Sequence, residues 1–300
     1  MKATKWRIAL TIVIALVLTV SFSSCTVGKG KVAVIRLGGI IADAGQQGLL
    51  TTGGISPKLV RDYLSRAESD NGVRAVVLRI NSPGGSAAAS QEISAELRRF
   101  KEETGKPVVI SMGDVAASGG YYISAYADRI VANHGTLTGS IGVISNIIYI
   151  EGLLEKLGLE LETIKTGKHK DMGIRPLTEE QRQIMQDITD ELYEQFVATV
   201  AEGRQIPVTE VRQLATGQLY TGGQALNLGL VDELGGLDTA IELAASLAGI
   251  EIPEIEEYSP PSSFFEKLLG GLLPPSLLPF SEDELLFLRT IEGWQGIPRY

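Results

Sequence analysis

Three runs of aliphatic and β-branched residues constrain this chain more than any other feature. They are Lys31–Leu37 (KVAVIRL), Arg74–Ile80 (RAVVLRI) and Pro107–Met112 (PVVISM). Such runs read as strands. The segments between them have helical periodicity. Over Ser56–Ser69, Leu59, Val60, Tyr63 and Leu64 share one face, Ser56 is placed to cap the helix, and Pro57 occupies its tolerant first position. Ser86–Phe100 reads as a second helix. Ser118–Ala127 reads as a third, with strands next over Asp128–Ala132 and Gly142–Ile150. A long helix is expected over Thr178–Gly203, opened by a Thr178/Gln181 capping box. Its Ile184, Ile188, Leu192, Phe196 and Val200 form a stripe for a core or a partner. Gly222–Leu228 and Leu237–Leu247 close the regular part. Strands alternating with helices imply an α/β layered domain over about residues 31–250.

The two ends differ from this middle. Lys2, Lys5 and Arg7 precede the apolar run Ile8–Val20 and then Ser21–Cys25, which is an export signature. It places the chain beyond Cys25 outside the inner membrane, behind an uncleaved anchor, a lipid on Cys25, or a cleaved leader. The expected division is 1–25 as signal anchor or lipoprotein signal, 26–250 as the catalytic domain, and 251–300 as an extension outside the sheet. That extension holds seven of the twelve prolines and a Phe264–Leu273 stripe suited to subunit docking.

Composition excludes several classes. A formal charge of −9 argues against a nucleic-acid surface. One cysteine and two histidines rule out an internal disulfide and cysteine zinc sites, and make an all-histidine metal centre untenable.

Two strand-to-helix turns are built for chemistry. Asn81-Ser82-Pro83-Gly84-Gly85 lets another backbone approach closely and puts N–H groups at a helix start, a natural oxyanion site. Ala117-Ser118-Gly119-Gly120 leaves a serine among small residues, as a nucleophile or as a simple helix cap. A serine nucleophile needs a base. The candidates are His134, His169 and the lysines of Lys165-Thr-Gly-Lys168-His169-Lys170-Asp171.

These segments, with Thr138-Gly139-Ser140-Ile141-Gly142, Leu219–Ala225 and Gly229–Gly235, resemble signal peptide peptidase A, a serine-protease family. The resemblance covers about residues 31–248. It implies a crotonase/Clp-protease-like fold with repeated β-β-α units, preceded by an N-terminal membrane helix. It also implies a Ser/Lys dyad: Ser118 as nucleophile, Lys170 as general base and Ser140 orienting it. Gly85 and Gly119 are then the oxyanion donors. No cofactor is needed. The partners implied are peptide substrates (signal-peptide remnants and exported chains), the membrane and further copies of the chain. The chemistry is coherent: a free lysine titrates near ~10.4, and an apolar cleft favours its neutral form. A crotonase-type acyl-thioester enzyme, a non-catalytic scaffold binding exported chains, and a histidine-based triad are the competing readings.

Overall fold

The computed structural model describes residues 28–43 and 54–258. The expected N-terminal anchor and the Pro/Leu-rich stretch beyond residue 258 lie outside the described residues.

The chain builds one mainly parallel sheet. Its strands are β1 (Gly28–Gly38), β2 (Val73–Ser82), β3 (Val108–Ala117), β4 (Arg129–Ala132), β5 (Leu137–Gly139), β6 (Leu219–Thr221), β7 (Glu233–Leu234) and β8 (Ile250–Tyr258). The path runs β6-β5-β3-β2-β1-β8, and among the described strands only the β5–β6 pair is antiparallel. β3 forks: Val109–Ser111 pair with β4, and Val115–Ala117 pair with β5. Parallel strands need crossovers, which the helices supply. These are α1 (Pro57–Ser69), α2 (Ala87–Thr104), α3 (Gly119–Ser124), α4 (Glu151–Lys156), α5 (Glu179–Arg204), α6 (Val208–Leu214), α7 (Gly222–Asn227) and α8 (Leu237–Leu247).

Burial on both sheet faces explains why the strands are continuously apolar. On one face Ile35, Leu78, Ile80 and Ile110 pack with Leu64 of α1 and Ile93, Leu97 and Phe100 of α2. On the other, Val32, Val34, Val77 and Val109 pack under Ala240, Ile241 and Ala244 of α8. Each fully buried aliphatic side chain contributes about 1.5–3 kcal/mol. The expected caps form. Ser56 Oγ accepts from Leu59 N–H at 3.2 Å, and Thr178 and Gln181 make the reciprocal capping box.

Three expectations are corrected. Residues 142–150 form no strand. Only Ile144 makes an isolated bridge, and Ile144 and Ile148 are exposed. The strand in this region is the shorter β5, earlier in sequence. The third helix ends at Ser124, three residues short of Ala127. The sheet also does not end near 250, because Ile250–Tyr258 pairs with β1 as a parallel edge strand. Glutamates disguise this strand, but the fold neutralises them. Glu256 takes Lys31 (3.1 Å) and Arg66 (2.6 Å), and Glu257 takes Arg36 (3.0 Å). Pro253 is tolerated there because an edge strand has one unpaired side.

The stripe on α5 divides. Phe196 and Val200 are buried in the core, whereas Ile188, two turns earlier, is 42% exposed.

Candidate active site

The site grows from the adjacent ends of β3 and β5, where Ala117 lies opposite Gly139. The next residue on each strand is a serine. Ser118 and Ser140 both turn away through positive φ, 55° and 51°. Such backbone is costly for a side-chain-bearing residue, of order 1–3 kcal/mol, and persists where the surroundings over-determine it. Here they do. Ser118 N–H donates to Gly139 O, and Ser140 N–H donates to Gln218 O, both at 2.8 Å. The two serines therefore stand side by side on neighbouring strands, which run about 4.8 Å apart.

Ser118 is only 7% exposed, and its hydroxyl makes no cap bond to α3. The helix start is served instead by the Ser118 carbonyl, which accepts from both Tyr121 and Tyr122 N–H at 2.9 Å. The cap reading of this serine is thus replaced by a free hydroxyl at a sharp strand-to-helix turn. Behind it, α3 is fixed by Tyr121, whose buried hydroxyl donates to Leu230 O (2.9 Å), and by Thr199, which donates to the Tyr122 hydroxyl (3.0 Å). Desolvation pushes the Tyr121 phenol up, so it stays a neutral donor.

The Gly84-Gly85 turn packs directly on this helix start. A Cβ on Gly119 would stand 2.6 Å from Ser90 Oγ and 3.3 Å from Gly85 N. A Cβ on Gly85 would stand 2.0 Å from Ile41 O. Only glycines fit, and their amides converge. Ile41 bridges the residues on either side of Gly85: Ile41 N–H donates to Gly84 O, and Ser86 N–H donates to Ile41 O. The Gly85 and Gly119 N–H groups are left without an acceptor among the described residues. Two neighbouring free amides beside a serine hydroxyl can receive an oxyanion.

The lysines lie elsewhere, on an arm spanning residues 144–177. Lys165 Nζ is held by Asp171 (2.6 Å) and by Lys168 O (3.1 Å), and Lys168 is paired with Glu180. The Lys165 ammonium holds the Asp171 carboxyl below the usual carboxylate range, and Lys168 does the same for Glu180. Lys170 is exposed, and its amine has no partner among the described residues. No hydrogen bond joins it to Ser118 or Ser140. The structure thus brings together Ser118, Ser140, Gly85 and Gly119, and among the described residues bonds Lys170 to none of them. His134 is exposed beside Gly223, and His169 Nε2 lies 3.5 Å from Glu180. Neither is bonded to Ser118.

Three residues that matter locally had no role in the sequence reading: Asn81, Thr136 and Thr138, whose side chains bind the backbone of β3 just before Ser118. The one legible signal was that Asn81 and Thr138 lie in the motifs themselves. A separate cavity of about 540 Å³, lined by Arg98, Lys101, Asp128, Glu202, Arg204 and Asp232 among others, contains none of the site residues. Its charges are paired as Arg204–Asp232, Arg98–Glu202 and Lys101–Asp128.

Comparison with known proteins fits this geometry. The profile of peptidase family S49 matches residues 100–251. A putative protease from Synechocystis is 44% identical over 201 residues, covering 66% of this chain and 72% of that protein. A putative signal peptide peptidase SppA from Enterococcus faecium is 38% identical, over 71% of this chain and 62% of its own length. Protease 4 of Haemophilus influenzae is 39% identical over 72% of this chain, but that match takes in only 35% of the longer relative. A mutant of the membrane-bound stomatin-specific protease 1510-N, solved with a substrate peptide, shares the fold at 19% identity and a TM-score of 0.50, covering 82% of this chain and 98% of the other. A free serine at a strained turn and paired free amides are what acyl transfer from a peptide requires, and with these relatives they lead to one conclusion: the chain belongs to peptidase family S49, the signal peptide peptidase A family, and is a serine endopeptidase.

Proposed function

We propose that this endopeptidase works through a Ser118/Lys170 dyad on extended peptide chains at a membrane surface. The observation that carries the proposal is the Ser118 turn, whose hydroxyl has no partner among the described residues and which leads into Gly119, packed against Gly85. Ser118 Oγ attacks the scissile carbonyl, and its proton passes to the neutral amine of Lys170. The oxyanion rests on the two glycine N–H groups. Collapse expels the amine product, which takes the proton from Lys170, and leaves an acyl-enzyme. Lys170 then draws a proton from water as its oxygen attacks the ester; collapse breaks the acyl–Oγ bond, Ser118 Oγ takes the proton back from Lys170, and the carboxylic acid product leaves. Ser140, adjacent to Ser118, orients the lysine. Of the three lysines in the Lys165–Lys170 run, only Lys170 has an uncommitted amine, which favours it over Lys165 and Lys168.

Lys170 is exposed and its amine unbonded in the single chain, which points to assembly. The arm exposes Ile148, Leu153, Leu157 and Ile164, the last 93% exposed. Large apolar side chains left exposed together along one segment mark a candidate interaction site. We take a further copy of the chain as its cover, with assembly carrying Lys170 onto a serine and desolvating it. The finer fold reading is the layered crotonase/Clp-protease type with β-β-α units, which the fork of β3 supports. The export signature in residues 1–25 supports an N-terminal anchor, a catalytic domain outside the cytoplasm, and signal-peptide remnants as substrates. Among the described residues no helix is long and apolar enough to cross a membrane.

A fluorophosphonate tests the core of the proposal. It should label the full chain at Ser118 and abolish peptide hydrolysis, with labelling that quickens as pH rises, because only the free amine accepts a proton. An unlabelled chain, or a label mapped to another residue, would refute it.

A further inference from the structure

β3 does not run regularly to Ser118. Its register with β2 passes from Ile80↔Met112 to Ser82↔Ala116, so two steps on β2 face four on β3. The two extra residues make a bulge over Met112–Ala116, at the point where the strand changes partners from β4 to β5. A bulge bends a strand and leaves ladder groups unpaired. In this one, side chains bond the strand's backbone one after another. Arg79 Nη1 donates to Met112 O at 2.8 Å. Thr136 Oγ1 donates to Gly113 O at 2.7 Å. Val115 N–H donates to Asn81 Oδ1 at 3.1 Å. Thr138 Oγ1 donates to Ala116 O at 2.7 Å. Thr136 and Thr138 are buried, and Asn81 lies so close that a Cβ on Gly113 would meet its side chain at 2.9 Å.

The clamp also ties the site together. Asn81 opens the turn that ends in Gly85, and Thr138 is two residues before Ser140. Each clamping residue is thus on the same strand or turn as another part of the site. We infer that Asn81, Thr136 and Thr138, with Arg79, are positioning residues. By fixing the bulge, they set the reach of β3 and hold the Ser118 hydroxyl in register with the Gly85 and Gly119 amides and with Ser140. This rests on the reading of Ser118 as nucleophile. It asks more of these side chains than fold stability. An unbulged β3 would still pair with β2 and keep its apolar core contacts, but it would deliver Ser118 two residues out of place.

The test is Thr138→Val, which keeps the shape and loses the hydroxyl. Its readouts are the fluorophosphonate labelling rate at Ser118 and the split of kcat against KM, both measured on the full chain well below its Tm. Labelling and kcat should fall about tenfold or more, as expected of a misplaced nucleophile, with KM little changed. Thr138→Ser, which restores the donor, should recover the rate. Asn81→Ala is the companion variant. Val115 is half-buried, so water can replace the lost acceptor and the fold is spared. It should slow labelling in the same way. If both variants lower Tm yet label at the wild-type rate, the clamp is purely structural and the inference falls. If the wild-type chain is itself labelled elsewhere than Ser118, the nucleophile assignment fails first, and the variants' rates at Ser118 lose their meaning with it.

Discussion

The surroundings of Ser118 and of Lys170, the two members of the proposed dyad, are built to opposite standards. Around Ser118 the chain is closed: glycines fit where no other residue would, buried tyrosines fix the helix behind, and hydrogen bonds hold two strained serines in place. Around Lys170 it is open, with exposed aliphatic side chains, a short helix (α4) without a buried residue, and an amine that has no partner among the described residues. The difference separates what folding of one chain accomplishes from what it leaves to another event. Oxyanion donors must be rigid before substrate arrives, because their worth lies in not having to reorganise. A lysine base must be desolvated, and in the proposed assembly that desolvation is conditional on the arm being covered.

The sharpest way to break this contrast is at the lysine. Lys170→Ala should lower kcat by about a thousandfold or more, as loss of a covalent-catalysis partner does, with Tm unchanged because the side chain is unpartnered. Lys170→Arg should be equally inactive, since a guanidinium does not give up its proton. Lys168→Ala should keep most activity, and an inactive Lys168→Ala beside an active Lys170→Ala would reassign the base. Mixing the Ser118→Ala and Lys170→Ala chains sharpens the point. If a neighbour completes each site, subunit exchange should restore about a quarter of wild-type activity. No recovery would mean that the arm closes on its own chain.

A smaller effect is expected on the arm itself. Leu157→Asp with Ile164→Asp places two charges on surface that is solvent-exposed in the single chain. The fold should survive within about 0.5 kcal/mol. The mass measured by light scattering should fall, and hydrolysis should drop about tenfold or more. Unchanged mass with unchanged activity would show that the arm's apolar surface is not an interface.

The mildest prediction concerns the β8 edge. Lys31 bonding depresses the carboxyls of Asp70 and Glu256, and Arg36 depresses that of Glu257. A depressed carboxyl contributes stability that is present above its unfolded value, near ~4. It is lost as pH falls through the folded value. The same contacts raise Lys31, whose contribution is complete below about pH 10 and is lost only at strongly alkaline pH. β8 should therefore lose hydrogen-exchange protection, corrected for intrinsic rate, between about pH 5 and pH 3, ahead of β2 and β3. Equal loss across all strands would deny the edge any separate acid sensitivity.

How much of this was legible in the sequence depends on whether the signal is local. The strand runs at 31–37, 74–80 and 107–112 and the Ser56 and Thr178 caps were readable, because propensity and capping act within a few residues. The strand expected over 142–150 was not formed, because β-branched composition supplies no partner, and pairing is what makes a strand. β8 was hidden by Pro253 and four glutamates, two of which, Glu256 and Glu257, are neutralised by cations of β1 and α1 far away in sequence. At the site, Ser118, Ser140, Gly85 and Gly119 were found through motif resemblance, and the structure places them together. The roles of Asn81, Thr136 and Thr138 were invisible because a bulge is a mismatch between two strands. Neither strand's residues record it alone.

The pairing of β8 with β1 also bears on how the molecule comes to be folded. The two strands lie about 220 residues apart in sequence, yet they are nearest neighbours in the sheet. Until residue 258 has been synthesised, the outer edge of β1 has no mate, and its amides and carbonyls are open to any extended strand nearby. Contacts of such long range form slowly, because loop closure must precede their reward. The final seam of the sheet can be sewn only when nearly the whole described chain is available. A nascent or partly threaded molecule therefore carries an unsealed strand, and truncation of the chain ahead of β8 would leave it permanently so.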